Sequence, residues 1–306
     1  MASNPTPENA DVLRALGDLI ADGCHTHEAT IGILQNTEAT LRAAITALSN
    51  AETTAGFKKN ELANAFAALD AADVAGISCI NNCKLRLRQV LGERWNPGWE
   101  PTGFPDQSTG VPNTQDKRFT LLDALKNYFT AVPASENAGM GATAALCQAA
   151  WAALSNARQT VSACESAQTT AFDARAAATD ALRKRVRGLI NELETLIADD
   201  DPRWEAFGLN IPANPSAPDS VGSVSAAPMG NGRVEVSYLY ATRATRYKIE
   251  TFITGVDTEW QSKTSAKDLE VILKGFTAGQ SVKVRVIATN DGGDASPSPE
   301  ATVVVT

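Results

Sequence analysis

The stretch Ala47-Leu48-Ser49-Asn50-Ala51 returns later in the chain as Ala153-Leu154-Ser155-Asn156-Ala157. The residues downstream of both copies stay in the same register, so that Phe66 corresponds to Phe172. A five-residue identity could arise by chance in an alanine-rich chain, but the continued register predicts an internal duplication.

Each copy closes on a similar segment of proline, glycine and aromatic residues, over 97–105 in the first and 202–212 in the second. Both segments place a tryptophan directly before a glutamate, with a glycine shortly after. We expect these aromatic side chains to plug the ends of helical bundles. The alternative is an exposed contact patch, because tryptophan is favoured at interface hot spots. The candidate structural or interface residues are Trp99, Phe104, Trp204 and Phe207.

Both copies are predicted to be helical. Apolar residues recur at helical spacing over 11–22 and again over 119–132. A much longer segment without an interior proline follows each of them, over 28–92 and 138–198. An unbroken helix of about 60 residues would extend ~90 Å, which is long for a globular protein.

We therefore expect a chain reversal inside each long segment, in the region 53–56 or at Thr179-Asp180, which is typical of a helix N-cap. Two stacked helical hairpins would then form an antiparallel bundle. Alanines spaced three and four apart, such as Ala43, Ala47 and Ala51, favour close helix packing. Self-association between chains through the same alanine face is the open alternative.

Two non-helical segments divide the chain. Residues 106–118 form a loop rich in glycine, proline, threonine and asparagine, and residues 213–218 form a proline-rich joint. Spaced prolines favour an extended, semi-rigid connection that sets the C-terminal part away from the bundle. The predicted organisation is a helical repeat 1 over 1–105, a linker over 106–118, a helical repeat 2 over 119–212, a joint over 213–218 and a β-sandwich over 219–306.

The sandwich is predicted from apolar residues that alternate with polar ones, as in Val234, Val236 and Tyr238. The stretch 273–292 resembles the fibronectin type III family, from the corner before its sixth strand to the typical Ala-x-Asn-x-x-Gly ending that starts at Ala288. Tyr238 stands where the family has a tryptophan, and Val282 stands where it has the corner tyrosine. The resemblance covers roughly 30% of the chain and implies binding, adhesion or spacing.

The fold class is therefore multi-domain, all-α plus all-β: a duplicated alanine-rich helical bundle followed by an immunoglobulin-like β-sandwich. The helical part, with Leu182-Arg-Lys-Arg-Val-Arg187 and the ending around Trp204, is also similar to uncharacterised bacterial proteins that contain a fibronectin type III domain.

A net charge of −8 argues against nucleic acid and anionic membrane as partners. No stretch approaches 18 consecutive apolar residues, so we predict no membrane insertion. The N-terminus lacks the pattern of a signal peptide. A cytoplasmic location, or export without such a signal, is expected.

Catalytic and metal-binding residues are scarce. The two histidines, His25 and His27, lie in one short segment beside Cys24, predicted to be a helix-entry loop. A metal site there, joined by Cys79 or Cys83, is the alternative. We favour core packing for Cys79 and Cys83, which share one helix face. We also expect no cofactor and no metal, reduced buried cysteines, a solvated helix end at 199–201, and pairing of the basic run 183–187 with Glu192, Glu194 and neighbouring carboxylates.

The sequence thus favours a non-catalytic structural or interaction protein, in which a helical scaffold that could assemble with its own copies presents a sandwich to protein partners. A secreted or cell-surface adhesion module that binds protein or carbohydrate is the alternative. A metal-dependent enzyme is the third reading.

Overall fold

The computed structural model describes residues 4–306 and places four α-helices before eight β-strands. The helices are α1 (Ala10–Ile31), α2 (Glu38–Leu91), α3 (Gln115–Ala131) and α4 (Ala144–Leu196). Short 3-10 helices span Pro97–Thr102, Pro133–Ser135, Ala138–Met140 and Pro202–Phe207. The order of one helix, one long helix and a 3-10 helix begun by proline therefore occurs twice.

The helix ends follow local capping chemistry. Asn9 begins α1, because its side chain accepts hydrogen bonds from the N–H groups of Asp11 and Val12. Gly32 ends the same helix in the left-handed conformation, at φ 87°. His25 and His27 therefore lie inside α1, and the prediction of a helix-entry loop there is wrong. Helix α3 begins at Gln115, within the linker predicted over 106–118, because Thr114 caps it.

The reversals predicted inside the long segments are wrong. Helix α2 runs unbroken for 54 residues and α4 for 53. Thr179 does not cap a new helix, since its hydroxyl donates to the Arg175 carbonyl within the same helix. Gly56 lies within α2, and nothing beyond the adjacent residues and the local helix backbone lies within 4 Å of the position that its β-carbon would take, so this glycine marks neither a turn nor a close approach. Without an interior proline, and with many alanines, nothing local interrupts either helix.

The chain divides into two compact units, one formed by Met1–Ala51 with Arg175–Thr306 and the other by Glu52–Ala174. These units cut across the two predicted repeats. Each unit takes its short helix from one repeat and the closing 3-10 helix from the other. Such an exchange is possible because both long helices continue from one unit into the other.

The helical core of the first unit joins α1, the beginning of α2, the end of α4 and the 3-10 helix at Pro202–Phe207. Its buried members include Leu13, Leu16, Ile20, Leu41, Leu48, Leu182, Val186, Leu189, Leu193, Trp204 and Phe207. The core of the second unit is built in the same way from α3, the end of α2, the beginning of α4 and the 3-10 helix at Pro97–Thr102. It includes Ile80, Cys83, Leu87, Trp99, Phe104, Leu121, Leu125, Phe129, Cys147 and Leu154.

A single carboxylate fastens the α1–α2 loop. Glu192 of α4 accepts hydrogen bonds from the backbone N–H groups of Leu34, Gln35 and Asn36, and from the Asn36 side chain, at 2.8–3.2 Å. Burial raises the pKa of Glu192, whereas these hydrogen bonds lower it. The hydrogen bonds have the larger combined effect, so the pKa lies below its ordinary value.

The Glu192 carboxylate, which was predicted to pair with the basic run, therefore binds the α1–α2 loop. In the basic run, Arg183 pairs with Asp180, a neighbouring carboxylate, at 2.5 Å. At the helix end predicted to be solvated, Asp201 accepts from the Arg203 backbone N–H and pairs with its guanidinium at 2.6 Å.

Replacing Glu192 by glutamine should lower the free energy of unfolding at pH 7 by about 1–2 kcal/mol, because charged hydrogen bonds to the loop are weakened. A folded-state pKa below the unfolded value of about 4.3 stabilises the fold above that pH, and this stability is lost as the pH falls through the folded pKa. Urea unfolding should therefore separate wild type from Glu192→Gln at pH 7, and the difference should shrink as the pH is lowered below the ordinary pKa of glutamate. The exposed Glu194→Gln is the control, and an equal loss in both variants would contradict the assignment.

The C-terminal sandwich consists of two antiparallel sheets. One has the order β1-β2-β5 and the other β4-β3-β6-β7, with β8 paired to β6. The strands are β1 (Val224–Gly230), β2 (Arg233–Tyr238), β3 (Arg246–Ile253), β4 (Gln261–Ala266), β5 (Glu270–Lys274), β6 (Ser281–Asn290), β7 (Gly293–Asp294) and β8 (Ala301–Val304). The predicted alternation is confirmed: Val234, Val236 and Tyr238 are all buried.

The two departures from the fibronectin type III pattern are accommodated in this core. Tyr238 lies 4.9 Å from Tyr247, measured between ring centroids, and its hydroxyl donates to the Asp268 carbonyl at 2.8 Å. Val282 is fully buried between the sheets. Tyrosine thus keeps most of the aromatic volume while its polar end finds a partner.

Within the first unit, the sandwich is attached to the helical part by polar contacts. The Asn290 side chain donates to the Asn210 side chain and to the carbonyls of Ser216 and Arg243. Arg243 also approaches Glu205 at 3.3 Å. The prediction that the joint sets the sandwich away from the bundle is therefore wrong. The side chains of Asn290 and Arg243, both in the sandwich, contact Asn210 and Glu205 in the helical part.

Candidate interaction surface

The four aromatic residues marked by the repeat lie inside the helical cores. Trp99 and Phe104 form an edge-to-face pair with ring centroids 5.5 Å apart. Trp204 and Phe207 are fully buried, and the Trp204 indole N–H donates to the Ala198 carbonyl at 3.0 Å. Burial of all four excludes the alternative in which these residues form an exposed contact patch.

Matching glycines close the two aromatic segments. Gly103 and Gly208 both adopt the left-handed conformation, at φ 81° and 70°. A β-carbon on Gly103 would also meet the β-carbon of Ala124 in α3 at 2.3 Å. The turn that seats each tryptophan therefore requires glycine for its backbone conformation, and at Gly103 also for a close approach.

The histidines are not part of the group of possible metal ligands found among residues 4–306, which consists of Cys79, Cys83 and Cys147. His25 is exposed and its Nδ1 lies 2.9 Å from a Glu38 carboxylate oxygen. This contact is a surface pair, and the chemistry of the predicted metal alternative is not assembled there.

A surface that the sequence did not indicate lies on the outer face of the sheet formed by β3, β4, β6 and β8. Alternate residues of β3 and β6 point into the core, among them Thr251 and Val284. The residues between them face outward. We name this surface the Trp260 face, after its largest side chain, and define it by Glu250, Phe252, Trp260, Lys283, Arg285 and Val304.

Arg285 organises the Trp260 face. Its Nε and Nη2 both approach one carboxylate oxygen of Glu250, at 2.8 and 2.7 Å. The guanidinium carbon lies 4.3 Å from the centroid of the Trp260 ring, and Phe252 lies 5.9 Å from the same ring. A guanidinium held between a carboxylate and an indole is fixed in orientation, so this cluster is formed before any partner arrives.

Charged pairs of both signs surround the aromatic cluster. Lys283 contacts Glu300 at 3.0 Å, and Lys248 contacts Asp294 at 2.6 Å, which lowers the pKa of Asp294. Val304 remains 59% exposed on the neighbouring strand. An aromatic and arginine centre with a charged rim is the composition that protein–protein interfaces favour.

A cavity of about 380 Å³ lies within the first unit. Its walls come from the segment before α1, from Val12 and Leu16 of α1, and from sandwich residues such as Tyr240 and Lys267. The Asn9 side chain donates to Asp268, another wall residue, at 3.0 Å. The cavity therefore belongs to the contact that attaches the sandwich to α1.

One helix, α2, contains an 18-residue window apolar enough to cross a membrane by length and composition, with a mean hydropathy of 1.3 and 17% of the window buried. The window passes largely because alanine counts as apolar. The predicted absence of membrane insertion stays a prediction.

Solved fibronectin type III domains resemble the C-terminal sandwich. The structure of titin kinase and its flanking domains matches with a TM-score of 0.28 and 20% identity over 30% of this chain and 18% of that chain. The FN5 domain of Drosophila Lar matches with a TM-score of 0.26 and 21% identity over 29% of this chain and 96% of its own. The sixth fibronectin type III domain of human fibronectin type III domain containing protein 3 matches with a TM-score of 0.26 and 20% identity. The match covers 29% of this chain and 86% of that chain.

The predicted fold class, helical followed by an antiparallel sandwich like fibronectin type III, is confirmed. No family model and no curated protein matches the chain. The similarity of the helical part to bacterial proteins stays a prediction.

Proposed function

We propose that this chain is a non-catalytic interaction protein, in which a helical scaffold carries a sandwich that binds a protein partner through the Trp260 face. The observation that supports the proposal most directly is the fixed cluster of Arg285, Trp260 and Phe252 on the outside of the sheet. Rigid aromatic and arginine side chains lose little conformational entropy on binding, so they give more affinity per contact than mobile ones.

A protein partner fits this face better than a carbohydrate. A sugar ring stacks on an open aromatic ring, but the Arg285 guanidinium already lies over Trp260 at 4.3 Å. The remaining edges of Trp260 and Phe252 suit apolar side chains, and the charged pairs around them suit a mixed polar rim. Of the two ligands considered for an adhesion module, protein and carbohydrate, this face therefore favours protein.

Self-assembly is the second candidate, and the repeat supports it. Phe66 and Phe172, which occupy corresponding positions of the two copies, are both exposed on the long helices. Exposed aromatic rings at equivalent positions offer two similar surfaces to a neighbouring copy. In this case the partner would be the chain itself, bound through the helices.

Trp260→Ala tests the first candidate, in which a protein partner binds the Trp260 face. We expect this change to weaken binding of a protein partner by about 30-fold, the equivalent of a 2 kcal/mol hot spot. Arg285→Lys should weaken it less, since the charge stays while the planar fork is lost. Partners recovered from native extract are identified by mass spectrometry, and their affinities are then measured by calorimetry.

Met229→Ala is the matched control, because Met229 is an exposed apolar residue on the other sheet. Partners that bind wild type, Trp260→Ala and Met229→Ala equally would rule out the Trp260 face. Light scattering of the purified chain across concentration decides the second candidate: a strict monomer removes self-assembly.

A further inference from the structure

Three cysteines meet in the second unit. Cys79 and Cys83 lie one turn apart on α2, and both face Cys147 near the beginning of α4. The Cys147 sulfur lies 3.4 Å from the Cys83 sulfur and 3.9 Å from the Cys79 sulfur, and all three sulfurs lie within 4.8 Å of one another. Cys83 and Cys147 are fully buried, while Cys79 is partly exposed.

The duplication provides an internal comparison for this cluster. Continuing the register that aligns Ala47 with Ala153 places Leu189 at the position of Cys83 and Leu41 at the position of Cys147. Both leucines are fully buried in the core of the first unit. The fold therefore fills these two positions with leucine where only packing is required, and the sulfurs of the second unit need another reason.

The remaining cysteines behave differently. All five are free thiols, but Cys24 and Cys164 lie outside the three-sulfur group. Burial raises the pKa of Cys24 to about 12, so this thiol stays protonated. It acts as a small apolar residue in its core.

The distances suit an ion held by three sulfurs. Metal–sulfur bonds of about 2.3 Å in a trigonal arrangement separate the sulfurs by about 4.0 Å, which falls within the observed spread. Among residues 4–306, the group that could hold an ion consists of these three cysteines and includes no histidine or carboxylate. Soft thiolate ligands select soft ions, and a structural zinc site would have four protein ligands where this group offers three.

We infer that Cys79, Cys83 and Cys147 together bind one soft, thiol-seeking ion in three-coordinate sulfur geometry. Charge favours a trivalent ion: arsenite, As(OH)3, condenses with three thiols to give As(SR)3 and three water molecules. No net charge is then buried, and no oxidant or reductant is consumed. A monovalent copper ion releases three protons from the thiols and leaves a net charge of −2, which costs more in a buried site. Partly exposed Cys79 provides the route of entry.

The test uses the full chain, reduced and kept under argon, with arsenite as the probe. Native mass spectrometry should show one arsenic added and three protons lost, and the count of reactive thiols should fall by three. Cys147→Ser should lose the adduct, with an affinity lowered beyond the ~100-fold that loss of an outer-shell partner can cost. Cys79→Ser, at a partly exposed helix position, should do the same with least disturbance of the fold.

Two controls separate binding from folding. Cys164→Ser lies on α4 outside the group and should keep full binding. The double variant Cys83→Leu with Cys147→Leu copies the packing of the first unit, so it should stay folded by circular dichroism and bind no arsenite. An adduct that persists in Cys147→Ser, a wild-type chain that takes up no arsenite, or zinc bound in preference to arsenite would each overturn the inference.

Discussion

Replacing Trp204 by alanine should lower the free energy of unfolding by about 3–5 kcal/mol, the range measured for large-to-small changes in cores. Trp204 is fully buried among residues from α1, α2 and α4, and its indole N–H is satisfied by the Ala198 carbonyl. Alanine would leave a cavity and remove the indole hydrogen bond, while the Ala198 carbonyl would keep the one that it accepts from the Asp201 backbone N–H at 3.0 Å. Guanidinium unfolding followed by circular dichroism measures the change without relying on tryptophan fluorescence.

The matched control is Phe57→Ala, an aromatic-to-alanine change at a ring that is 60% exposed on α2. Surface substitutions of this kind usually stay within about 0.5 kcal/mol. A loss below about 1 kcal/mol in Trp204→Ala would mean that the aromatic segment is not a structural plug.

Replacing Arg118 by methionine should lower the free energy of unfolding by about 3 kcal/mol, because the change leaves a buried carboxylate without its partner. The Arg118 guanidinium forks onto both carboxylate oxygens of Asp73 and also donates to the Pro112 carbonyl at 2.9 Å. The two side chains are only 10% and 15% exposed. Arg118 thereby joins the segment before α3 to α2. Its loss should free the Pro112 carbonyl and the Asp73 carboxylate from this link.

A second pair in the same unit is the control. Arg158 contacts Asp116 at 2.6 Å, but these side chains are 39% and 79% exposed. Arg158→Met should cost less than about 1 kcal/mol, as exposed ion pairs do. A double change, Arg118→Met with Asp73→Asn, should recover part of the loss, since no charge is then left buried. Equal effects in the buried and exposed pairs would contradict this account.

The fold class follows from the sequence because it depends on periodicity. Alternation at Val234, Val236 and Tyr238 reports a strand with one buried face, whatever the partner strand. Helix length did not follow. Long segments of uniform helix propensity give no local sign of whether a chain turns back, and here α2 and α4 continue because each end is packed in a separate core.

The candidate site was missed for a different reason. Glu250 and Arg285 come from β3 and β6, and Trp260 directly precedes β4. Only the register of β3 against β6 brings Glu250 opposite Arg285. The sulfur cluster has the same origin. The spacing of Cys79 and Cys83 places them on one helix face, but the contact with Cys147 depends on how α2 and α4 are aligned within the second unit. Single-strand and single-helix patterns do not contain that information.

The division of the chain into units also bears on how it matures on the ribosome. The second unit occupies a continuous segment, Glu52–Ala174, whereas the first is interrupted by it. Synthesis proceeds from the N-terminus, so the inner segment has all of its core residues before the outer one does. Helix α1 is synthesised before the segment Leu182–Phe207 that completes its core, so part of its apolar stripe stays uncovered until that segment has been added.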